Sequence, residues 1–401
     1  MSTLPNAAEQ PTIAWTDDDG VSHTALWRSE SGARPPKRVV LADDTMNADT
    51  AYRMACEGTA LLWRGDFQNA RLLLQALARR VERKPHKPKA AAAGEAPKSK
   101  QQAAADAFHL HRKAQGERAR ILGMLVLPFD ADHSVPLRRA PDVSQACLEA
   151  HGPADGAYVA SLRELLGLVG AHEWRKKGVK VDALGGAAIH PHYAVFSPVR
   201  GEYLELLAAA PLPLALTSAG KAGVAFDIGT GTGVVAALLA KRGVAQLIAT
   251  ETDPRALACA QDNLKRLKLD KKVQLQPVDL FPAARAALIV CNPPWVPAKP
   301  AAPVERAIYD PESRMLRGFL AGLAAHLLPG GEGWLILSDL AEHLGLRSRA
   351  ELEQWIDAAG LEIEGRLDIR PQHPKVGDAN DPLHRARARE VTSLWRLTVK
   401  A

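Results

Sequence analysis

Asn292, Pro293, Pro294 and Trp295 follow directly on the apolar run Ala287 to Cys291. A side-chain amide, a backbone carbonyl and an aromatic face, held at the end of a buried strand, can grip a flat NH2 group together with its π-system. The nitrogen of an amide or of a nucleobase amine is a poor nucleophile, because its lone pair is delocalised. If the Asn292 oxygen and the Pro293 carbonyl each accept one N–H, the nitrogen is drawn toward tetrahedral geometry and its lone pair is aimed at an electrophile. A strong general base is then unnecessary, since the methylated nitrogen is cationic and loses its proton readily. The two prolines fix φ and lack N–H donors, which holds the turn open toward a ligand. Trp295 is placed to stack on a planar acceptor. The chemistry suited is transfer of a methyl group to a planar nitrogen. Taken alone, the four residues also fit an ordinary strand end with a proline turn.

A second group of residues suits a nucleoside ligand. Val224 to Ile228, which includes Asp227, reads as a buried strand. It runs into Gly229-Thr230-Gly231-Thr232-Gly233 and then a helix from Val234 to Lys241. Glycines let a backbone approach a ligand closely and take up positive φ. Ala245 to Glu251 is predicted to be a second strand ending in a carboxylate, where a ribose diol would be held. A helix from Pro254 to about Leu267 follows, with proline in the favoured first turn. Val273 to Val278 is predicted to be a third strand, ending at Asp279. Ser313 to Leu328 reads as a helix, Gly333 to Leu337 as a fifth strand and Arg349 to Ala359 as a helix. Leu361 to Ile369 and Ser393 to Val399 read as a final pair of strands. Alternation of this length argues for an α/β fold with a largely parallel sheet, whose ligands bind beyond the carboxyl ends of the strands. Asp227, Glu251, Asp279 and Asn292 all stand at such ends.

With these residues assembled, positions 190 to 401 resemble the class I S-adenosylmethionine-dependent methyltransferases of the "methyltransferase small" group. That group includes release-factor glutamine methyltransferases and ribosomal RNA adenine and guanine methyltransferases. The resemblance rests on Asp227 to Gly233, Glu251, Asp279-Leu280 and Asn292 to Trp295. It implies a seven-stranded Rossmann-like sheet with S-adenosyl-L-methionine as cofactor. Asp227, Gly229, Thr230, Gly231 and Gly233 would hold its methionine end, Glu251 the ribose hydroxyls, and Asp279 with Leu280 the adenine. Asn292, Pro293, Pro294 and Trp295 would hold the acceptor nitrogen. The segment Ile189 to Glu202 looks like the family's cofactor-covering segment, with Phe196 toward the cofactor and Tyr193 and Arg200 toward the substrate. It departs from the family's pattern in lacking a threonine near Gly201. Tyr193 and Phe196 also fit simple packing under the first helix.

The chain has 401 residues, enough for two domains. Residues 1–35 are predicted to be disordered, 36–170 to form a mainly helical substrate-recognition domain, 171–200 a hairpin and covering segment, and 201–401 the methyltransferase domain. In the first part, Ala48 to Glu57 and Asp66 to Val81 read as helices, Ile121 to Leu127 as a strand or helix end, and Ala157 to Leu168 as a helix. Glu173 to Ala183 suggests a hairpin turning at Lys177-Gly178. The net charge of +6 is concentrated: Arg79 to Arg120 holds 12 Lys or Arg against 4 Asp or Glu. Within that stretch, Lys84 to Ala105 reads as a basic, mobile linker, suited to following phosphates or to solubilising the chain. Pro371 to Glu390, with Lys375, His384, Arg385, Arg387 and Arg389, is either a substrate-contacting loop or a solvated charged one; Arg385 and Arg387 are the substrate-binding candidates.

Cys56, Cys147, Cys259 and Cys291 are scattered without pairing or metal spacing, which fits a reducing cytoplasm. The pairs His109/His111 and His190/His192 lack partners at ligand spacing, so no metal is expected. No apolar run is long enough to span a bilayer, so no membrane is expected either. The leading expectation is an active N-methyltransferase. The basic strip and arginine-rich loop tilt its acceptor toward a base amine of RNA, with a glutamine amide of a ribosomal or other translation protein as the alternative and a small molecule as a third. A binding module without catalysis would predict a damaged glycine loop or tetrapeptide, and both are intact. A nicotinamide oxidoreductase would leave Asn292 to Trp295 without a role.

Overall fold

The computed structural model describes residues 10–83, 99–199, 201–217, 223–372 and 378–400. Two compact units emerge: Met1–Ala96 with Arg112–Glu173, and Pro97–His111 with Trp174–Ala401. The second unit therefore takes in a short stretch far upstream of its main body.

The second unit is built on a seven-stranded sheet. In chain order its strands are Val224–Ile228, Gln246–Thr250, Val273–Gln276, Ala286–Cys291, Leu327–Ser338, Leu361–Ile369 and Thr392–Val399. Across the sheet they lie third, second, first, fourth, fifth, seventh, sixth. The first five run parallel, and the strand at 392–399 pairs antiparallel with both of its neighbours. This is the class I methyltransferase arrangement. Along a strand, successive side chains point to opposite faces. Leu288 and Val290 accordingly join one apolar cluster, with Ala225, Leu247 and the helix Val234–Lys241, whereas Ile289 and Cys291 join another with Phe226, Ile228 and the helix Arg314–His326. Burial on both faces explains why the central strands read as unbroken apolar runs.

Local signals set the helix ends. Asp253 caps the helix Pro254–Arg266 by accepting the Arg255 N–H at 2.8 Å, with Pro254 in the first turn. Ser348 and Glu351 form a reciprocal capping box on Arg349–Ala358.

The first unit departs from the expected mainly helical domain. Its helices, among them Ala48–Cys56 and Phe67–Arg83, accompany a six-stranded mixed sheet. That sheet runs Thr12–Thr16, Ser22–Trp27, Tyr158–Ser161, Leu125–Phe129, Thr59–Trp63, Arg38–Ala42. Residues 10–35, expected to be disordered, include two of these strands; Ile13 is 1% exposed and anchors the edge pair. These strands are only four to six residues long, and such runs carry too few repeats for a period-2 signal to outweigh helix propensity.

Two further expectations are corrected. The hairpin pairs Val179–Val181 with Ala187–Ile189 and turns at 182–186, because Leu162–Lys177 continues as a helix through the expected start of the first strand. Of the expected linker 84–105, residues 84–98 lie outside the described residues, and from Lys100 the chain is helical to Leu122. Alanine and glutamine favour helix once a neighbouring surface is available.

Candidate active site

Register brings the site together. Gln276, Thr250, Ile228 and Cys291 stand side by side across four parallel strands. Glu251, Gly229 and Asn292 are therefore neighbouring first residues beyond one sheet edge. Thr250 ties this edge: its carbonyl accepts from Gly229 N and Thr230 N, each at 2.9 Å, and its hydroxyl donates to the Leu280 carbonyl at 2.7 Å.

The glycine turn uses three left-handed backbone positions, Gly229 (φ 71), Gly231 (φ 53) and Gly233 (φ 79). They serve different ends. A Cβ at Gly229 would collide with Met315, and one at Gly233 would crowd Ala260, whereas nothing lies within 4 Å of where a Cβ of Gly231 would stand. Gly231 is where backbone faces open space. Asp227, 2% exposed, accepts from Thr230 Oγ1 at 2.6 Å and Ala236 N at 3.0 Å. Its role in the turn is thus partly structural. Burial pushes its carboxyl up to about 6, against the lowering effect of those two bonds.

Glu251 is half-buried and reaches back over the turn. One oxygen accepts from Gly231 N at 3.2 Å, the other from Thr252 N at 2.8 Å and Asp253 N at 3.1 Å. Asp279 stands apart from this group. The strand before it ends at Gln276 rather than Val278, and Asp279 is exposed and ion-paired with Arg314. Leu280 adopts φ 59 and packs toward the helix Arg314–His326.

Pro293 is buried, and Asn292, Pro294 and Trp295 are partly so. Trp295 borders three apolar clusters, one on each face of the sheet and a third formed by Phe108, Val296, Leu344, Leu383 and Ala386. Its indole Nε1–H donates to Asn292 Oδ1 at 2.9 Å. The indole edge is thus committed to the asparagine, and the ring is more enclosed than an open stacking platform.

The covering segment lies along the helix Pro254–Arg266. Asn263 accepts His190 N–H at 2.7 Å through its side-chain oxygen and donates to the Thr232 carbonyl at 3.1 Å, linking the segment to the glycine turn. Val195 packs with Ala256 and Cys259, Phe196 borders the core, and the Arg255 guanidinium lies 5.4 Å over the Tyr193 ring. Arg200 lies outside the described residues, as does Lys375. The short helix His384–Arg387 joins the cluster beside Trp295 through Leu383 and Ala386, with Arg385 exposed and Arg387 paired to Asp381 at 2.9 Å. His190 and His192 bond to the Arg175 carbonyl and to Asp262. Among the described residues no three His, Cys, Asp or Glu side chains gather around a common point.

Several residues escaped the sequence reading. Asp310, 5% exposed, accepts from Met315 N and Leu316 N and donates its own N–H to the Val296 carbonyl at 2.9 Å. It joins the tetrapeptide loop to the helix that carries Met315 onto Gly229. Burial raises its carboxyl. A carboxylate just before Pro311 and a helix was the available signal. Phe108 had none, since its partners, from Val296 to Ala386, lie far downstream in the chain.

Part of the chain is similar to known proteins. Residues 205–346 match the family described as "Methyltransferase small domain". A release factor glutamine methyltransferase of Cereibacter sphaeroides is 34% identical over 164 residues, 36% of this chain and 54% of that protein. One from Deinococcus radiodurans is 31% identical over 159 residues, 36% and 53% of the respective chains. A ribosomal protein L11 methyltransferase of Escherichia coli is 29% identical over 135 residues, 33% and 43%. Among solved structures, a methyltransferase from Pyrococcus furiosus covers 57% of this chain and 96% of its own, with TM-score 0.38 and 18% identity. The chain spans about half the length of the relatives it matches. The sheet of the second unit is a class I methyltransferase fold.

Proposed function

We propose that the chain is an S-adenosylmethionine-dependent N-methyltransferase acting on the side-chain amide of a glutamine in a translation protein. One observation carries the reading: the register Cys291–Ile228 sets Asn292 beside Gly229 at a single sheet edge. An acceptor grip and a nucleoside cradle then face the same crevice.

The residues present fit the cofactor. Gly231 offers backbone with open space in front of it, and the Glu251 carboxylate stands half-exposed one strand away. Asp227 and the turn Gly229 to Gly233 would hold the methionine end, Glu251 the ribose, and Asp279 with Leu280 the adenine, with Phe196 along the covering segment. When bound, the cofactor supplies an electrophilic methyl group on a sulfonium.

Everything else falls to the chain. Asn292 Oδ1 and the Pro293 carbonyl accept the two N–H groups of the acceptor amide, which localises the nitrogen lone pair. Pro294 keeps the turn free of a competing donor. The transferred methyl leaves the nitrogen cationic, so its proton departs without a strong base.

The choice of acceptor rests on the relatives, which are glutamine and L11 methyltransferases over the domain that holds the site. Of the arginines that favoured an RNA base, Arg387 is engaged by Asp381 and Arg385 stays exposed. Incubation with radiolabelled methyl donor and extract split into RNA, protein and small-molecule fractions tests both levels. Label is expected on protein, at glutamine after digestion. Label on RNA would replace the acceptor and keep the enzyme, and no label in any fraction would overturn the enzyme.

A further inference from the structure

We infer that Trp295 is a positioning residue that fixes which way the Asn292 amide faces; this deepens the methyl-transfer reading and rests on it. An asparagine side chain offers one acceptor oxygen and one NH2 donor, interchanged by a half-turn about its last torsion and nearly equal in shape. Only the orientation that presents oxygen can receive an acceptor N–H. The reversed amide would set donor against donor and repel the substrate nitrogen. Two prolines cannot make that choice, because they bear no N–H with which to hold the oxygen.

The indole makes it. Its Nε1–H is a donor with no accepting capacity. It lies 2.9 Å from Asn292 Oδ1, and among the described residues no other side-chain hydrogen bond of Asn292 competes with it. Turning the amide would bring NH2 against the indole N–H. The ring in turn is held by the apolar clusters it borders on both faces of the sheet and by the cluster containing Phe108 and Leu383. An anchored donor thus selects the productive amide orientation. The oxygen retains its second lone pair for the acceptor N–H.

The bond spans three residues, with Pro293 and Pro294 between its ends. Their fixed φ angles keep both ends in reach. A phenylalanine could supply an aromatic face but no donor. Tryptophan therefore does something at this position that a plain aromatic would not.

The test replaces Trp295 by 3-benzothienylalanine, which puts sulfur where the indole N–H stood and keeps the ring shape. Methyl transfer is measured on the fraction that wild-type protein labels. Turnover at saturating acceptor should fall about tenfold, the scale of one hydrogen bond lost from the reacting geometry. The acceptor KM, the cofactor Kd and Tm should each stay near wild type. Trp295→Phe should match the loss in turnover. Unchanged turnover in the isostere overturns the proposal alone. A loss carried by Tm or cofactor Kd also overturns it, by showing a purely structural role. Failure of the wild-type protein to transfer methyl to any fraction overturns the underlying reading, and this inference falls with it.

Discussion

The two halves of the crevice are built on opposite plans. The half proposed to hold the cofactor is local: Asp227, the glycine turn and Glu251 lie within 25 residues, and their hydrogen bonds connect one strand end to the next. The half proposed to receive the acceptor is assembled from distant pieces, with Trp295 and Val296 packed against Phe108, Leu344, Leu383 and Ala386. A locally closed turn can be shared among many relatives unchanged. A composite wall can be altered piece by piece, and the difference teaches that the Trp295 side can be perturbed without touching the glycine turn.

Substitutions that strike one half should leave the other nearly intact, and the sharpest separation is expected at Asn292. Asn292→Ala should lower turnover by about 10²-fold, the cost of one lost group at a polarised centre, while calorimetry finds the cofactor Kd within about twofold of wild type. Equal loss of both would merge the halves.

Phe108→Ala should cost about 3 kcal/mol in denaturant unfolding, since a 3%-exposed ring is removed. Where protein remains folded, the acceptor KM should rise more than the cofactor Kd. Glu251→Ala should weaken cofactor binding by about 1.5 to 3 kcal/mol, as expected for a charge-assisted hydrogen bond, with unfolding midpoints less affected than in Phe108→Ala. An unchanged Kd would remove Glu251 from the cofactor half.

The smallest effect is a pH dependence. The folded Asp227 carboxyl lies at about 6 against an ordinary 3.8. Folding therefore favours its protonated form, and the stability this contributes is full below about pH 4 and lost as pH rises through about 6. Relative to Asp227→Asn, wild-type protein should lose stability across that window, as followed by paired thermal melts. A parallel pair of profiles would mean that burial does not perturb this group.

Legibility in the sequence follows the same division. Helix Val234–Lys241 and strand Leu361–Ile369 fall on the residues that periodicity and turn signals assign to them. Central strands buried on both faces read as apolar runs, and every polar residue at their ends stands out against that background. The acceptor wall was hidden because Phe108 sits in a helix whose sequence, rich in Ala, Gln and Lys, advertises a linker. Its partners are defined only by the finished fold. The first unit was misread for another reason. Thr59–Trp63 is buried along its whole length and shows no alternation, so its periodicity cannot separate strand from helix. The strand end before Asp279 is a subtler miss: the chain leaves the sheet at Gln276, and Pro277 and Val278 carry the chain on to the carboxylate, which pairs with Arg314.

Thr250 holds two neighbouring loops through one carbonyl and one hydroxyl. The crevice is consequently moulded before any ligand arrives, so little conformational entropy remains to be lost on that side when the nucleoside docks. Its amides should exchange slowly with solvent in the empty protein, and association should resemble a key entering a lock already cut.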